Sequence, residues 1–418
     1  MESKITPSPA FSEKDDLSYL STLLGDEAGW RLAPILTWIV QWGHRIVEPK
    51  AFMRGLCERL IETEAPIWYL GVHVRTIHPR FAAWQLTWHR QTRRVEEMTA
   101  AHGDRNTVDY IGTPLQMVHE TKALVRQRLV SLDPERDHPS LHFLAARGGR
   151  DFVALPLVFS DDQVNVLVLA TDCQEGFSDL DLAKFRVLTS FLAVSFEIFA
   201  SHRTALALLN TYVGPRAGRR VLQGQVRRGD GENIDAAIWL SDLREFTALS
   251  ESLPSESLLK MLNAYFEFIN AAVTAQGGEI LLFIGDAVLV VFPTGPDDDR
   301  CQACNAALEA ARDATFGIAT VNLRRARSGE PEISFGVGLD VGEVVYGNVG
   351  APDRLNFTVM GPTVNRAARL QDLTKKFGQP VLTSAEFAAC IDTTADSLGH
   401  HRLKGVKQPQ EIFVPRGF

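Results

Sequence analysis

The sequence predicts an α+β protein of two folded domains joined by a long helix. Three observations predict it. The chain has 418 residues, which at roughly 150 residues per domain gives two to three domains. Paired apolar, strand-like runs occur on both sides of a helix-periodic stretch at 180–210. Apolar residues at 45% and charged residues at 22% are those of an ordinary globular chain, which excludes a disordered or collagen-like polymer.

Charge and composition narrow the partners. The net charge is −8, a poor match for sequence-independent binding to a polyanion, so no nucleic-acid partner is expected. Asp286 interrupts the apolar run at 280–292, and Asp161 and Asp162 interrupt the run at 152–170. No run is long enough to span a bilayer. The N-terminal residues lack the apolar core of a secretory signal, so a cytoplasmic location without a membrane partner is expected. The five cysteines (Cys57, Cys173, Cys301, Cys304 and Cys390) are odd in number and widely spaced, which argues against a disulfide framework. Cys301 and Cys304 form a CxxC without a second pair. They open an Ala-rich helix and read as two helix-face thiols.

In chain order, residues 1–29 are polar and expected to be disordered. Residues 30–47 read as an apolar helix in which Pro34 is tolerable only near the first turn. A second helix at 51–62 puts Phe52, Leu56, Leu60 and Ile61 on one face. Strands follow at 67–77 and 81–88 around His78-Pro79, and again at 152–159 and 164–171 around Ser160-Asp161-Asp162. After a Ser178 or Asp179 N-cap, the long helix carries two apolar stripes. One holds Leu188, Leu192, Phe199, Leu206 and Leu209; the other holds Val187, Phe191, Val194, Ile198 and Leu208. Two stripes fit a helix that packs on its own domain and on a twin in a dimer, or a helix buried all round. This order of elements over residues 30–200 resembles a GAF-type sensor domain, which implies an α/β fold and a small ligand or a dimerisation role. The spacing of His73, His78 and His89 supports no haem or metal. Residues 201–233 finish the helix and form a Gly- and Arg-rich connector with Arg216, Arg219, Arg220, Arg227 and Arg228.

Residues 234–418 carry the chemistry. A strand at 236–240 ends in Ser241-Asp242, and a helix start follows. A carboxylate there can ligate a metal while the backbone N–H groups of Leu243, Arg244, Phe246 and Thr247 face a phosphate. In GGEILLFIGDAVLVVF two apolar strands flank Gly285-Asp286. This is a structural hairpin turn or a rigidly held carboxylate that joins Asp242 to hold two Mg²⁺ ions. In LNFTVMGPTVNRAARL a strand leads into a helix with Asn365 and Arg369 four apart on one face. That is an exposed helix, or an amide and guanidinium able to hold a ribose and a phosphoryl group.

Taken together with FGVGLDVGEVVYGNVG and LKGVKQPQEIF, these strings resemble the class III nucleotidyl cyclase catalytic domain over about residues 234–415. The resemblance implies a ferredoxin-like α+β fold acting as a homodimer, head to tail, with active sites at the interface. It implies that Asp242 and Asp286 bind two Mg²⁺ ions, for which Mn²⁺ can substitute. It also implies that Asn365 and Arg369 of the other protomer orient the ribose and stabilise the transition state. Lys404 falls on a triphosphate contact, and Arg354 lies near a further phosphate-contacting arginine. The implied reaction turns ATP into 3′,5′-cyclic AMP and pyrophosphate under control of the N-terminal domain.

Two positions depart from that family. Leu282 stands where adenylate-type members carry a lysine that reads adenine, while its partner Thr358 is compatible with adenine. Loss of that contact weakens base discrimination more than chemistry, so ATP is preferred with reduced selectivity. Glu245 stands where many members have glycine. The alternatives are a guanylate or relaxed-specificity cyclase and a catalytically silent nucleotide-binding dimerisation module. A diguanylate cyclase is excluded, because Gly277-Gly278-Glu279 is followed by Ile280 and Leu281.

Overall fold

A computed structural model describes residues 29–103, 110–294 and 299–418. The expected N-terminal disorder at 1–29 lies, but for Gly29, outside the described residues. The chain divides into two compact units that meet between Leu208 and Leu209. Among the described residues no helix is long and apolar enough to cross a membrane.

The first unit contains helices α1 (Ala33–Gln41) and α2 (Pro49–Glu62), strands β1 (Tyr69–Arg75), β2 (Ala83–His89) and β3 (Val95–Ala100), helix α3 (Pro114–Thr121), strand β4 (Val125–Arg128), helix α4 (Pro139–Ala146), strands β5 (Asp151–Val158) and β6 (Val164–Thr171), and the long helix α5 (Asp179–Tyr212). Pro34 sits at the start of α1, where its missing N–H costs nothing. Residues 43–45 form a separate 3₁₀ turn, so the helix expected at 30–47 is shorter. All six strands form one antiparallel sheet in the order β3-β2-β1-β6-β5-β4. β6 is central and buried along its whole length, which is why VNVLVLAT is continuously apolar rather than alternating. One sheet face packs Leu155, Leu167, Trp84 and Leu86 against Phe52 of α2 and Phe185 and Phe196 of α5. The other packs Trp68, Phe152, Val166 and Val168 under α3 and α4. Of the two stripes on α5, Leu188, Leu192 and Phe199 are buried. Of the second stripe, Val187 packs against the core, whereas Val194 and Ile198 are 62% and 58% exposed among the described residues.

The second unit holds α6 (Pro215–Leu222), β7 (Gly231–Leu243), α7 (Phe246–Ser252), α8 (Ser255–Ala275), the hairpin β8 (Glu279–Ile284) and β9 (Ala287–Pro293), α9 (Arg300–Arg327), the hairpin β10 (Phe335–Ala351) and β11 (Arg354–Met360), α10 (Pro362–Phe377), β12 (Val381–Ser384), α11 (Ala385–Ala388), β13 (Ala395–His401) and β14 (Gln410–Pro415). The sheet runs β13-β14-β12-β10-β7-β9-β8, with β11 paired to β10. β10 and β12 are parallel, joined through α10. Alternation along β7 sends Ala237 and Trp239 toward α8 and α9, and Ala236 and Ile238 to the opposite face beside Val344 and Ala367. α10 lies directly on β10, because a Cβ at Gly338 would collide with the Ala367 carbonyl and the Gln371 N–H.

Candidate active site

Sheet register brings two carboxylates together. β7 pairs with β9 with Ser241 opposite Val288. One step further along, Asp242 comes beside Ala287 and hence next to Asp286. Asp286 is fixed because Gly285 takes a left-handed conformation (φ +67°) and closes a two-residue turn between Ile284 and Ala287. The two carboxyl groups are close enough to act on each other. Burial pushes Asp242 up to about 7, and proton sharing with Asp286, the Asp286 charge and the charge of Asp372 add to the rise, against a lowering hydrogen bond from the Leu243 backbone. Asp242 Oδ1 is buried with no hydrogen-bond partner. The buried Tyr265 hydroxyl donates to Ser241 Oγ at 2.8 Å and braces the strand end from below.

α10 starts after Gly361 and carries Asn365, exposed, and Arg369, half-buried. Arg366 between them turns inward, its Nε donating to the buried Asp340 Oδ2 at 2.7 Å. Arg369 Nη1 donates to Asp372 Oδ2 at 3.0 Å, one turn on. Among the described residues, no hydrogen bond or ion pair joins Asn365, Arg369, Arg354 or Lys404 to Asp242 or Asp286 of the same chain. Asp372, the partner of Arg369, is nevertheless near enough for its charge to act on Asp242.

Residues 231–415 match the family profile described as the Adenylate and Guanylate cyclase catalytic domain. This part of the chain is a class III cyclase catalytic domain. Among curated relatives, Adenylate cyclase 1 of Rhizobium meliloti is 30% identical over 269 residues, 62% of this chain and 40% of that protein. An uncharacterised protein of Mycobacterium tuberculosis is 34% identical over 209 residues, 48% of this chain and 37% of its own length. The chain thus spans less than half the length of these relatives. The crystal structure of the adenylyl cyclase CyaB from P. aeruginosa is similar at 25% identity with a TM-score of 0.42, over 45% of this chain and 97% of that one.

Within the cyclase domain the remaining expected residues divide. Leu282 on β8 is half-buried, and β8 makes contact with β11. Thr358 on β11 is 8% exposed, with its Oγ1 lacking a hydrogen-bond partner. Lys404 is exposed in the loop between β13 and β14, anchored by the buried Leu403. Leu243 is buried, while Phe246 and Thr247 open α7 ahead of its first internal hydrogen bond, Leu249 N–H to the Glu245 carbonyl. Their N–H groups are therefore free of helical partners.

One expectation is corrected. Arg244 does not belong to a phosphate-facing turn. Its N–H donates to the Ser334 carbonyl at 2.7 Å, and its guanidinium donates to the Gln379 carbonyl at 2.7 Å and reaches Thr374 at 3.5 Å, so it staples the end of β7 to the end of α10. Arg354 is exposed at the tip of the β10–β11 hairpin, paired with Ala351, whereas Asp242 pairs with Gly336 at the opposite end of β10. Glu245 is exposed and left-handed (φ 58°, ψ 22°), a conformation that suits glycine and strains other residues by about 1–2 kcal/mol.

Sequence reading also missed Glu279. It is buried, its Oε1 accepts from Arg216 N–H of α6 at 2.9 Å and its Oε2 from the Tyr346 hydroxyl at 3.1 Å. The connector is thereby fastened to the strand that leads to Asp286. A glutamate at the head of an otherwise apolar strand was the signal.

Proposed function

We propose that the protein is a metal-dependent nucleotidyl cyclase that converts ATP into 3′,5′-cyclic AMP and pyrophosphate. The observation that carries the reading is the Asp242–Asp286 pair, with Asp242 Oδ1 buried and unpartnered. A buried carboxylate oxygen left without a donor is what a cation would satisfy. Among the described residues no cluster of three or more His, Cys, Asp or Glu could hold a metal by itself. Two carboxylates completed by substrate phosphate oxygens is the pattern suited to Mg²⁺, with Mn²⁺ able to substitute.

Asp242 and Asp286 would hold up to two such ions, whose chemistry is to acidify the ribose 3′-hydroxyl and neutralise the departing charge. Asn365 and Arg369 of a second copy orient the ribose and face the α-phosphate, where negative charge grows as the 3′-oxygen attacks and pyrophosphate leaves. Lys404 and the N–H groups at Phe246 and Thr247 hold the phosphate chain. The absence, among the described residues, of a hydrogen bond or ion pair between Asn365 or Arg369 and the carboxylates of the same chain supports a homodimer. The exposed Val194 and Ile198 on α5, a helix continuous from the first unit into the second, support a partner helix there and control of turnover by the first unit.

Thr358 offers a hydroxyl to the base edge, whereas Leu282 offers none. This favours relaxed choice between ATP and GTP as the second reading. Incubating the full chain with Mn²⁺ and each triphosphate, then separating the nucleotides, tests both. Cyclic AMP with pyrophosphate is expected to predominate. Cyclic GMP in equal or greater yield supports the second reading, and neither product from any triphosphate overturns both.

A further inference from the structure

The CxxC is not isolated in the folded chain. Cys301 and Cys304 occupy the first turns of α9, after the Asp299 N-cap that accepts from the Gln302 N–H. Cys390 lies just past α11, its N–H bonded to the Phe387 carbonyl at 3.0 Å. Asn305 ties the two segments. Its Nδ2 donates to the Cys301 carbonyl at 3.1 Å and the Cys390 carbonyl at 3.4 Å, and its Oδ1 accepts from Asp392 N–H at 3.0 Å. These bonds bring the Cys390 backbone beside the turn of α9 that carries Cys301 and Cys304, and the Cys390 thiol acts on both of theirs. Cys304 is buried, Cys390 half-buried and Cys301 exposed. Cys301 opens onto a cleft of about 680 Å³ that it shares with Asn305, Glu309 and Asp392.

Three thiols from two distant segments can do two things: hold a soft metal ion or form a disulfide. Among the described residues no group of His, Cys, Asp or Glu has metal-holding geometry. Disulfide chemistry remains, and exposure assigns the order of events, because Cys301 is the most exposed of the three.

We propose that Cys301 and Cys390 form a peroxide-driven redox site, in which Cys301 is oxidised first and Cys390 closes a reversible disulfide between α9 and the segment after α11. The Cys301 thiolate attacks one oxygen of hydrogen peroxide and breaks the O–O bond, giving a sulfenic acid and, with a proton, one water. The Cys390 thiolate then attacks that sulfur, forms the S–S bond and breaks the S–O bond, and the hydroxide that leaves takes up the proton lost by the Cys390 thiol to become the second water. In sum two thiols give up two protons and two electrons, and one peroxide becomes two waters. Contact with Cys390 foremost, with burial, the Cys390 charge and the nearby Asp299 and Asp392, pushes the Cys301 thiol up to about 11. Thiolate is scarce at neutral pH, so the reaction quickens as pH rises. The bridge would enclose β10, β11, α10 and β12 in one covalent loop and raise resistance to unfolding.

The test treats the full chain with hydrogen peroxide at pH 7 and pH 9, alkylates the remaining thiols, and maps tryptic peptides without reductant. The expected product joins the peptide 301–312 to the peptide 377–402 through Cys301, forms faster at pH 9, raises the melting temperature by several degrees, and reverts with dithiothreitol. Cys390→Ser should abolish it, and Cys173→Ser should leave it intact. Should Cys390→Ser fail to fold, Cys301→Ser, at an exposed position, must also lose the crosslink. A loop closed between Cys301 and Cys304 alone, a crosslink surviving Cys301→Ser through Cys304, or Cys301 over-oxidised beside an alkylated Cys390 would each overturn the proposal.

Discussion

Arg366 and Asp340 form a buried ion pair, Nε to Oδ2 at 2.7 Å, that clamps α10 onto β10. Arg366 stands between Asn365 and Arg369 in sequence and is tied to β10, so the pair fixes the rotation with which the helix presents those two side chains. Asp340 is fully buried. Arg366→Met would leave that carboxylate without its counter-charge, and a loss of about 3–5 kcal/mol is expected. Urea denaturation measures it, and the double variant Arg366→Met, Asp340→Leu should recover most of the loss. An unchanged midpoint in the single variant would contradict this role.

The titration of two aspartates gives a pH signature. Burial holds Asp340 up at about 6 even though Arg366 pulls it down, and burial followed by the contact with Asp286 holds Asp242 up at about 7. Unfolding returns each to the ordinary aspartate range near 4. The folded chain therefore keeps protons that the unfolded chain releases. These groups favour folding fully below about pH 4, lose that contribution as pH rises to about 7, and change nothing above. In metal-chelating buffer the melting temperature should carry this downward component, and Asp242→Asn should remove its upper part. Metal binding runs the other way, since Mn²⁺ must displace the proton on Asp242. Asp372→Asn, which withdraws a neighbouring negative charge, should move the midpoint of Mn²⁺ binding to lower pH. A midpoint that stays put or rises would show that Asp372 does not act on Asp242.

The proposed part of Leu282 in base selection is open to a direct test. Leu282→Lys restores a donor opposite Thr358, and the ratio of kcat/KM for ATP over GTP should rise by about 10-fold or more, the scale of one buried hydrogen bond to a charged group. Equal rates before and after the substitution would remove Leu282 from the base site.

These sites differ in how far the sequence alone reveals them. Asp242 and Asp286 are legible because each is defined by its immediate neighbours: a strand that ends, and a Gly-Asp turn between two apolar runs. Strand register then does the rest. Arg244 is not legible, because its partners Gln379 and Thr374 come from the far end of another helix. The place of Arg354 at a hairpin tip is not legible for a related reason. Proximity in sequence to the site-bearing helix says nothing about the 17-residue strand β10, which carries the hairpin tip away from Gly336. Cys390 comes beside Cys301 only once the segment after α11 is tied to Asn305 of α9, a long-range contact with no local mark.

Glu279 gives a handle on control by the first unit. Glu279→Ala leaves the Tyr346 hydroxyl and Arg216 N–H without their acceptor and should cost about 1–3 kcal/mol of stability in the cyclase domain. It should also blunt the change in basal rate produced by deleting residues 1–208. If deletion alters the rate equally in the variant and the wild type, the Glu279 contact does not carry the coupling.

The shared active site is tested most directly by complementation. Two variants, Asp242→Asn with Asp286→Asn and Asn365→Ala with Arg369→Ala, are each expected to lose cyclic nucleotide formation from Mn²⁺ and triphosphate. Mixed in equal amounts and allowed to exchange subunits, they should recover about one quarter of the wild-type rate, the share of intact sites in random twofold dimers. A mixture as inactive as its parents, although exchange has occurred, would contradict a site built from the carboxylates of one chain and the amide and guanidinium of another.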